Sequence, residues 1–479
     1  MALAKVKSWP LVAIVFLVGC KAAQKARDPE FPQVSQSIHQ AGYAPLPAAA
    51  AVSPVNYEFT GPQPVEVFLQ YALSQNAGVQ AARKRIDAAA MRVPQAASLK
   101  DPMLDVTGYP FYPNVPQTAS GRMTVDMMVS QEVPWFGKLD TQAAAAEAEV
   151  NAARAQLAAA ELKTIEEVKR AYYELYFTQK AIRVISEDRS ILADLVEVAN
   201  SLYITGKSSQ QGVLRLQAEL SNVDGELIRM AQMRASAQAD LARLLHISPE
   251  TPLEAVDQLP PEDAPHDLEW LYQQAVAARP ELHAMLAEIE RDRLKVDRAR
   301  LEYYPDVTFK FGWGEMTTSR AIAPSADGID NLSMGLGVNV PIYRNRLHAA
   351  VREAEATVVA NSRQYDQLKD ETQRDVKQLF TQALSQRDTD ALFRESIIPK
   401  TQQALDVAVR GYQVGETDFA DLIANWRELL RFHVTQLQLE SQYRQTLASL
   451  ERVVGGLPAA PPAAIPAPRV EPQPLPPLP

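Results

Sequence analysis

Residue types that could carry out chemistry are few and scattered in this chain of 479 residues. The six histidines lack the spacing of metal ligands, and no metalloprotease, nucleophile-elbow or dinucleotide-binding motif occurs. Residues 206–208 resemble the end of a phosphate-binding loop, but Ser201 stands where that loop requires its first glycine. We therefore predict no enzyme activity, no cofactor and no bound metal.

The single cysteine, Cys20, ends the most distinctive segment of the chain. A basic start and an apolar run at positions 11–18 precede it, and that run has the length of a signal-peptide core rather than of a transmembrane helix. Residues 17–19 (LVG) resemble a bacterial lipobox, which implies cleavage after residue 19 and lipidation of Cys20. Attached acyl chains would give a stable membrane anchor. The alternative is an ordinary signal peptide that happens to contain a cysteine.

Two aspartates, Asp418 and Asp421, lie three residues apart at the start of a helical segment. That spacing would place both carboxylates on one helical face. In an assembly with cyclic symmetry each aspartate would become a ring of negative charge, and acidic rings favour cations. The alternative is a pair of solvated surface aspartates.

Long helices must position these residues. Residues 139–203 contain no proline and carry an apolar stripe with steps of three and four, which predicts a coiled-coil helix about 95 Å long. Further helices are predicted at about 208–245, 345–411 (interrupted at Pro399) and 417–454. Compact globular domains rarely contain helices of such length. The alternative, a free-standing dimeric coiled coil, does not account for the strand patterns.

The chain contains two copies of one pattern. Val133-Pro134 recurs as Val340-Pro341, and a Tyr-x-x-Gly turn at 203–206 recurs at 412–415. We predict a signal peptide at 1–19, an extended leader at 20–64, repeats at 65–257 and 258–456, and a Pro-rich disordered tail at 457–479.

Two alternating segments in each repeat predict β-strands, at about 103–112 and 122–133, and at about 306–316 and 331–340. Their length suits tilted membrane-spanning strands, and aromatic residues crowd their ends. A soluble sandwich is the alternative. Four strands cannot close a barrel, so several chains would have to share one. The pattern alone leaves open whether two, three or four chains do so.

Together these features resemble the TolC-type outer membrane efflux family over about residues 60–456. The resemblance rests on the duplication, on Tyr304-Pro305-Asp306 before a strand, and on the two Tyr-x-x-Gly turns. It implies a mainly α fold with a small β part. Duplicated long helical hairpins would form an α-barrel in a homotrimer, and four strands per chain would contribute to a twelve-stranded transmembrane β-barrel.

The resemblance also implies a function and partners. The chain would be the outer membrane channel of a tripartite efflux system, a passive exit duct for metal ions or drugs. An inner-membrane pump and a periplasmic adaptor would deliver these compounds. Alternatives are the outer membrane component of a type I secretion system and a periplasmic adaptor lipoprotein. The net charge of −10 argues against a nucleic-acid partner.

Site residues follow from the same resemblance. The two turns would be hairpin tips that dock the adaptor, with glycine at the positive φ of the turn and a hydroxyl residue capping the next helix. The alternative is that they are simple helix links. The tip residues are Tyr203, Gly206, Ser208, Tyr412, Gly415 and Thr417. Tyr412, Asp418 and Asp421 would form the periplasmic gate.

Overall fold

The structure, a computed structural model, describes residues 59, 61–109, 116–206, 209–414 and 416–456. Cys20, the predicted signal peptide, nearly all of the leader and the Pro-rich tail lie outside these residues, and so do Ser208 and Gly415. The described part is mainly helical and contains one antiparallel sheet.

The same order of elements occurs twice. Short helices lead into strands, and the strands lead into a pair of long helices. The first half contains α1 (Val65–Gln75), α2 (Ala77–Ala90), α3 (Arg92–Ala97), β1 (Met103–Gly108), β2 (Gln117–Thr118), β3 (Gly121–Val133), α4 (Lys138–Ile204) and α5 (Gln210–Leu245). The second half contains α6 (Leu268–Ala278), α7 (Pro280–Leu301), β4 (Val307–Thr317), β5 (Asn331–Val338), α8 (Arg344–Leu392), a π-helical turn (Phe393–Ile397), α9 (Ile398–Val414) and α10 (Phe419–Val454).

Helix α4 is the longest element, with 67 residues and a length of about 100 Å at 1.5 Å per residue. Its apolar stripe packs into two cores. One, around Ile185 and Leu192, includes Trp426 of α10; the other, around Tyr172, includes Phe68 of α1. Burial of each large apolar side chain stabilises the packing by about 1.5–3 kcal/mol. Among the described residues no helix is both long and apolar enough to cross a membrane.

Pro399 does not interrupt the helix as predicted. The chain stays helical from Arg344 to Val414 because a π-helical turn at Phe393–Ile397 precedes the proline. In that turn the N–H of Ile398 donates to the carbonyl of Phe393, five residues back. A proline cannot donate a backbone hydrogen bond and its ring crowds the preceding turn. The wider π-helical turn accommodates both effects.

Helix and strand ends differ from the predicted ones by a few residues. Helix α5 begins at Gln210, and its N-cap is Ser209, whose hydroxyl accepts a hydrogen bond from the N–H of Gly212 at 3.3 Å; the predicted cap, Ser208, was one position early. Helix α10 begins at Phe419, so Thr417 does not directly precede it. Strand β1 ends at Gly108 rather than near 112, and the short β2 has no alternating pattern that could have predicted it.

The sheet has the order β1-β3-β4-β5, and β2 pairs with the end of β3. All pairs are antiparallel, and β3 with β4 joins the two repeats. Within the described chain, one side of β1 and one side of β5 have no partner strand.

Candidate functional site

One face of the sheet is apolar from edge to edge. The strand register aligns Leu104, Val129, Phe311 and Met334 in one row across β1, β3, β4 and β5. The next row consists of Val106, Met127, Trp313 and Leu332. Met334 is 85% exposed and Leu332 is 67% exposed. An apolar surface this continuous requires a lipid or protein neighbour.

The other face of the sheet is polar. Asp105, Met128, Gly312 and Ser333 form one of its rows, and Thr107, Asp126, Gly314 and Asn331 form another. The two faces therefore suit different environments, as the period of two in the sequence predicts. The strands thus present one water-compatible and one apolar surface.

Aromatic residues gather where the sheet meets the helices. The rings of Trp135 and Tyr304 stack, with centroids 5.4 Å apart and planes inclined by 12°. Phe136 and Tyr343 are 87% and 73% exposed. Such a belt is typical of residues at a membrane–water interface.

A buried ion pair lies at the same junction. Lys138, the first residue of α4, is 2% exposed, and its Nζ lies 2.8 Å from Oδ1 of Asp306. The N–H of Trp135 donates to the same oxygen at 2.8 Å. Burial alone would raise the pKa of Asp306, but the hydrogen bonds from Lys138 and Trp135 outweigh it and lower the pKa below its usual value. Sequence reasoning missed Lys138, because nothing local marks a lysine that will be buried.

The first hairpin tip lies between α4 and α5. Gly206 has a φ of 72°, which confirms the positive φ predicted for this turn, and its N–H donates to the carbonyl of Tyr203 at 3.0 Å. Tyr203 is 45% exposed and Ile204 is 82% exposed. This tip therefore presents apolar surface to its surroundings.

The second tip, between α9 and α10, closes on a glycine that sequence reasoning missed. The N–H groups of Glu416 and Thr417 both donate to the carbonyl of Gly411, at 2.8 and 3.2 Å. A Cβ on Gly411 would lie 2.1 Å from the hydroxyl oxygen of Thr417, so any larger residue would push the turn apart. The close approach of these two residues shapes the tip.

The three predicted gate residues occupy different environments. Tyr412 is only 8% exposed and packs in the same core as Trp426, whereas Asp418 and Asp421 are exposed. Asp418 precedes the first helical residue of α10, and its carbonyl accepts the N–H of Leu422 at 3.3 Å. Asp418 therefore lies at the start of α10 and Asp421 in its first turn, and the shared face of their carboxylates stays a prediction.

Two buried carboxyl groups were also missed. Glu219 of α5 accepts hydrogen bonds from Arg427 of α10 through both carboxylate oxygens, and these bonds lower its pKa despite its burial. Asp188 of α4 is 8% exposed, and its Oδ2 has no hydrogen-bond partner in the described part of the chain. Burial, with a smaller contribution from Glu187, raises the pKa of Asp188 to about 6.

Comparison with known proteins accounts for both halves of the chain. A family model described as outer membrane efflux protein matches residues 68–245 and 271–456. The cobalt-zinc-cadmium resistance protein CzcC of Cupriavidus metallidurans is 23% identical over 83% of this chain and 91% of its own length.

Solved structures share the fold. CusC, whose crystal structures concern folding and transmembrane channel formation, covers 83% of this chain and 94% of its own, with a TM-score of 0.71 and 17% identity. The outer membrane protein VceC of Vibrio cholerae covers 82% of this chain and 96% of its own, with a TM-score of 0.68 and 19% identity.

Proposed function

Because this chain belongs to the outer membrane efflux protein family, we propose that it forms, as a homotrimer, the outer membrane channel of a tripartite efflux system. The observation that carries the proposal is the exposed apolar face of the sheet, which runs across four strands and has a polar face behind it. In a membrane barrel the apolar face would contact lipid and the polar face would line water.

The open strand edges support a shared barrel. In the hydrocarbon region each unpaired backbone group costs several kcal/mol, so β1 and β5 each need a partner strand there. Three copies of the four-stranded path would close twelve strands, with β1 of one subunit beside β5 of the next. The barrel closes only through the neighbouring subunits.

Transport through such a duct needs no catalytic group. The long helix pairs α4–α5 and α8–α10 would surround a water-filled tunnel, and an inner-membrane pump would supply the energy. The tips would dock a periplasmic adaptor. The exposed apolar side chains Tyr203, Ile204 and Val414 support this role, because apolar surface at a tip is stabilised by a partner.

The proposed gate residues would have two different roles. Asp418 and Asp421 are exposed and would supply the carboxylate rings of the constriction. Tyr412 is buried among the helices, so it would act by holding α9 against α10 rather than by facing the solute. Opening the tip would require this packing to shift.

Lipid anchoring through Cys20 is part of the proposal. Mass spectrometry of the amino-terminal peptide of the purified protein tests it. We expect an acylated cysteine as the first residue in the natural protein and none in Cys20→Ser. An unmodified Cys20, or cleavage elsewhere, would contradict the proposed lipid anchor but would not affect the proposal of a channel.

The proposed substrates are small toxic compounds, metal ions or drugs. The name of CzcC, a cobalt-zinc-cadmium resistance protein similar over most of its length, favours metal ions. The adaptor alternative has lost its support, since the family model matches both halves of the chain. Type I secretion has no observation in its favour beyond the shared family.

Membrane fractionation and conductance test the channel itself. We expect the protein in the outer membrane fraction, migrating as a trimer on unheated denaturing gels and as a monomer after boiling. Purified trimers should produce discrete conductance steps in planar lipid bilayers. A monomer that stays in the aqueous phase after removal of its acyl group would overturn the proposal.

A further inference from the structure

The polar face of the β4–β5 hairpin is nearly free of side chains. Four of its positions are glycines: Gly312, Gly314, Gly335 and Gly337. The remaining positions between Thr308 and Gly314 and on β5 carry short side chains, except for Lys310. Lys310 is exposed and stands opposite Gly335 in the register. It is therefore the one long side chain on this part of the sheet.

The lysine side chain lies along the glycines of the neighbouring strand. A Cβ on Gly335 would lie 3.7 Å from Cβ of Lys310, and a Cβ on Gly337 would lie 3.8 Å from Cε of Lys310. The lysine stem thus runs over β5 with its ammonium group towards Gly337. A long side chain at either glycine would occupy the same space.

Folding of the sheet does not itself require these two glycines. Neither has a positive φ, and the closest contact of a Cβ at either position would be an ordinary 3.5 Å or more. Alanine would therefore fit, and glycine in a strand interior is normally unfavourable. The absence of side chains at these glycines leaves room for Lys310 and leaves this part of the polar face without other protruding groups.

The ammonium group of Lys310 has no ion-pair partner among the residues that the structure describes. Glu132 on β3, two positions along from the residue opposite Lys310, is the nearest carboxylate in the register, and it pairs with Lys100 at 3.3 Å. Asp105 and Asp126 carry negative charge on the same face but lie on β1 and β3. Asp105 is two strands from Lys310, about 10 Å at the usual strand spacing. The positive charge is therefore available to solutes that pass the sheet.

We propose that Lys310 determines the ion selectivity of the sheet-lined part of the channel. The inference rests on the proposed function. Three copies would place three ammonium groups on a wall that also carries Asp105, Asp126 and the Lys100–Glu132 pair, with low-dielectric lipid behind it. Fixed charges in such a pore set which ions enter. Lys310 would oppose the aspartates and lower the preference for cations.

Reversal potentials in a potassium chloride gradient test the inference. We expect the permeability ratio of potassium over chloride to rise by about twofold in Lys310→Gln and further in Lys310→Glu. Lys310→Arg is the matched control, because it keeps the positive charge at the same position, and it should leave the ratio unchanged.

Chemical restoration of the charge separates selectivity from assembly. Lys310→Cys channels are first reconstituted, and then treated with aminoethyl methanethiosulfonate or with the sulfonatoethyl reagent. The first adds a positive group and should lower the cation preference; the second adds a negative group and should raise it. The parent protein, with its single Cys20, serves as the reagent control.

The outcomes distinguish the two proposals. If the natural protein gives no conductance, the proposed function fails. If it conducts, but both charge substitutions and both reagents leave the reversal potential unchanged, the role of Lys310 is wrong while the channel stands.

Discussion

Lys138 and Asp306, 168 residues apart in sequence, form a buried ion pair with Nζ and Oδ1 at 2.8 Å. Lys138 is the first residue of α4, and Asp306 directly precedes β4. The pair therefore ties the start of the long helix in the first repeat to the start of a strand in the second. It fixes the point at which sheet and helices meet.

Breaking this pair should destabilise the protein. In Lys138→Met the partly buried Asp306 carboxylate keeps the Trp135 N–H but loses its cation, and loss of one partner of a buried pair costs about 3–5 kcal/mol. Denaturant unfolding of the detergent-solubilised protein measures the loss. Lys163→Met is the control, since Lys163 pairs with Glu167 on an exposed helix surface at 3.8 Å. Equal effects of the two substitutions would contradict a special role for Lys138.

The same pair predicts a response to acid. Because the folded pKa of Asp306 lies below its ordinary value of 3.8, the folded state binds its proton less readily than the unfolded state does. Its contribution is present above the ordinary value and is lost as the pH falls through the lowered one. We expect Asp306→Asn to flatten the acid limb of the stability curve.

Asp188 should have the opposite pH dependence. Its pKa is raised to about 6, so the folded state holds the proton more tightly than the unfolded state, whose value is near 3.8. Stability is then greatest below the lower value and falls by up to about 3 kcal/mol as the pH rises from about 4 to 6. Asp188→Asn should remove this fall and raise stability at pH 7. The exposed Asp194→Asn is the control; a pH profile unchanged by Asp188→Asn would count against the prediction.

Arg427 and Glu219 should be unequal partners in the link between α5 and α10. Arg427→Gln leaves a carboxylate whose side chain is only 8% exposed, whereas Glu219→Gln leaves an arginine that is 58% exposed to water. The arginine substitution should therefore be the more harmful. A double-mutant cycle on unfolding free energies should give a coupling of about 1.5–3 kcal/mol. The exposed pair Arg363 and Asp366 provides a reference cycle with a coupling near zero.

Adjacent residues on β5 should respond oppositely to a lysine. Met334→Lys places a charge on the apolar face, where it costs about 2–4 kcal/mol at the middle of a bilayer. Ser333→Lys places the same charge on the polar face. The yield of heat-modifiable trimer in the outer membrane should fall sharply for the first and little for the second. Similar yields would show that the apolar face does not meet lipid.

Local periodicity was sufficient to predict the long helices and most of the strands. The stripe in α4 and the alternation in β3, β4 and β5 depend only on neighbouring residues. The sequence could not indicate that Lys138 and Asp188 would be buried, because burial depends on elements far away in the chain. Tyr412 illustrates the same limit: the family resemblance suggests a gate residue, whereas its packing against α10 is a tertiary fact.

The π-helical turn at Phe393–Ile397 also sets the direction, around the helix axis, of the side chains that follow it in the helix. One additional residue in a helix rotates the downstream side chains by about 100° around the axis. Leu405, Ala408 and Tyr412 therefore meet Trp426 and the rest of their core only because that turn is widened. Deleting one residue from this turn would rotate the apolar stripe towards solvent, although the helix itself would remain. The packing of the hairpin near its tip thus depends on a turn about twenty residues earlier in the chain, before Pro399.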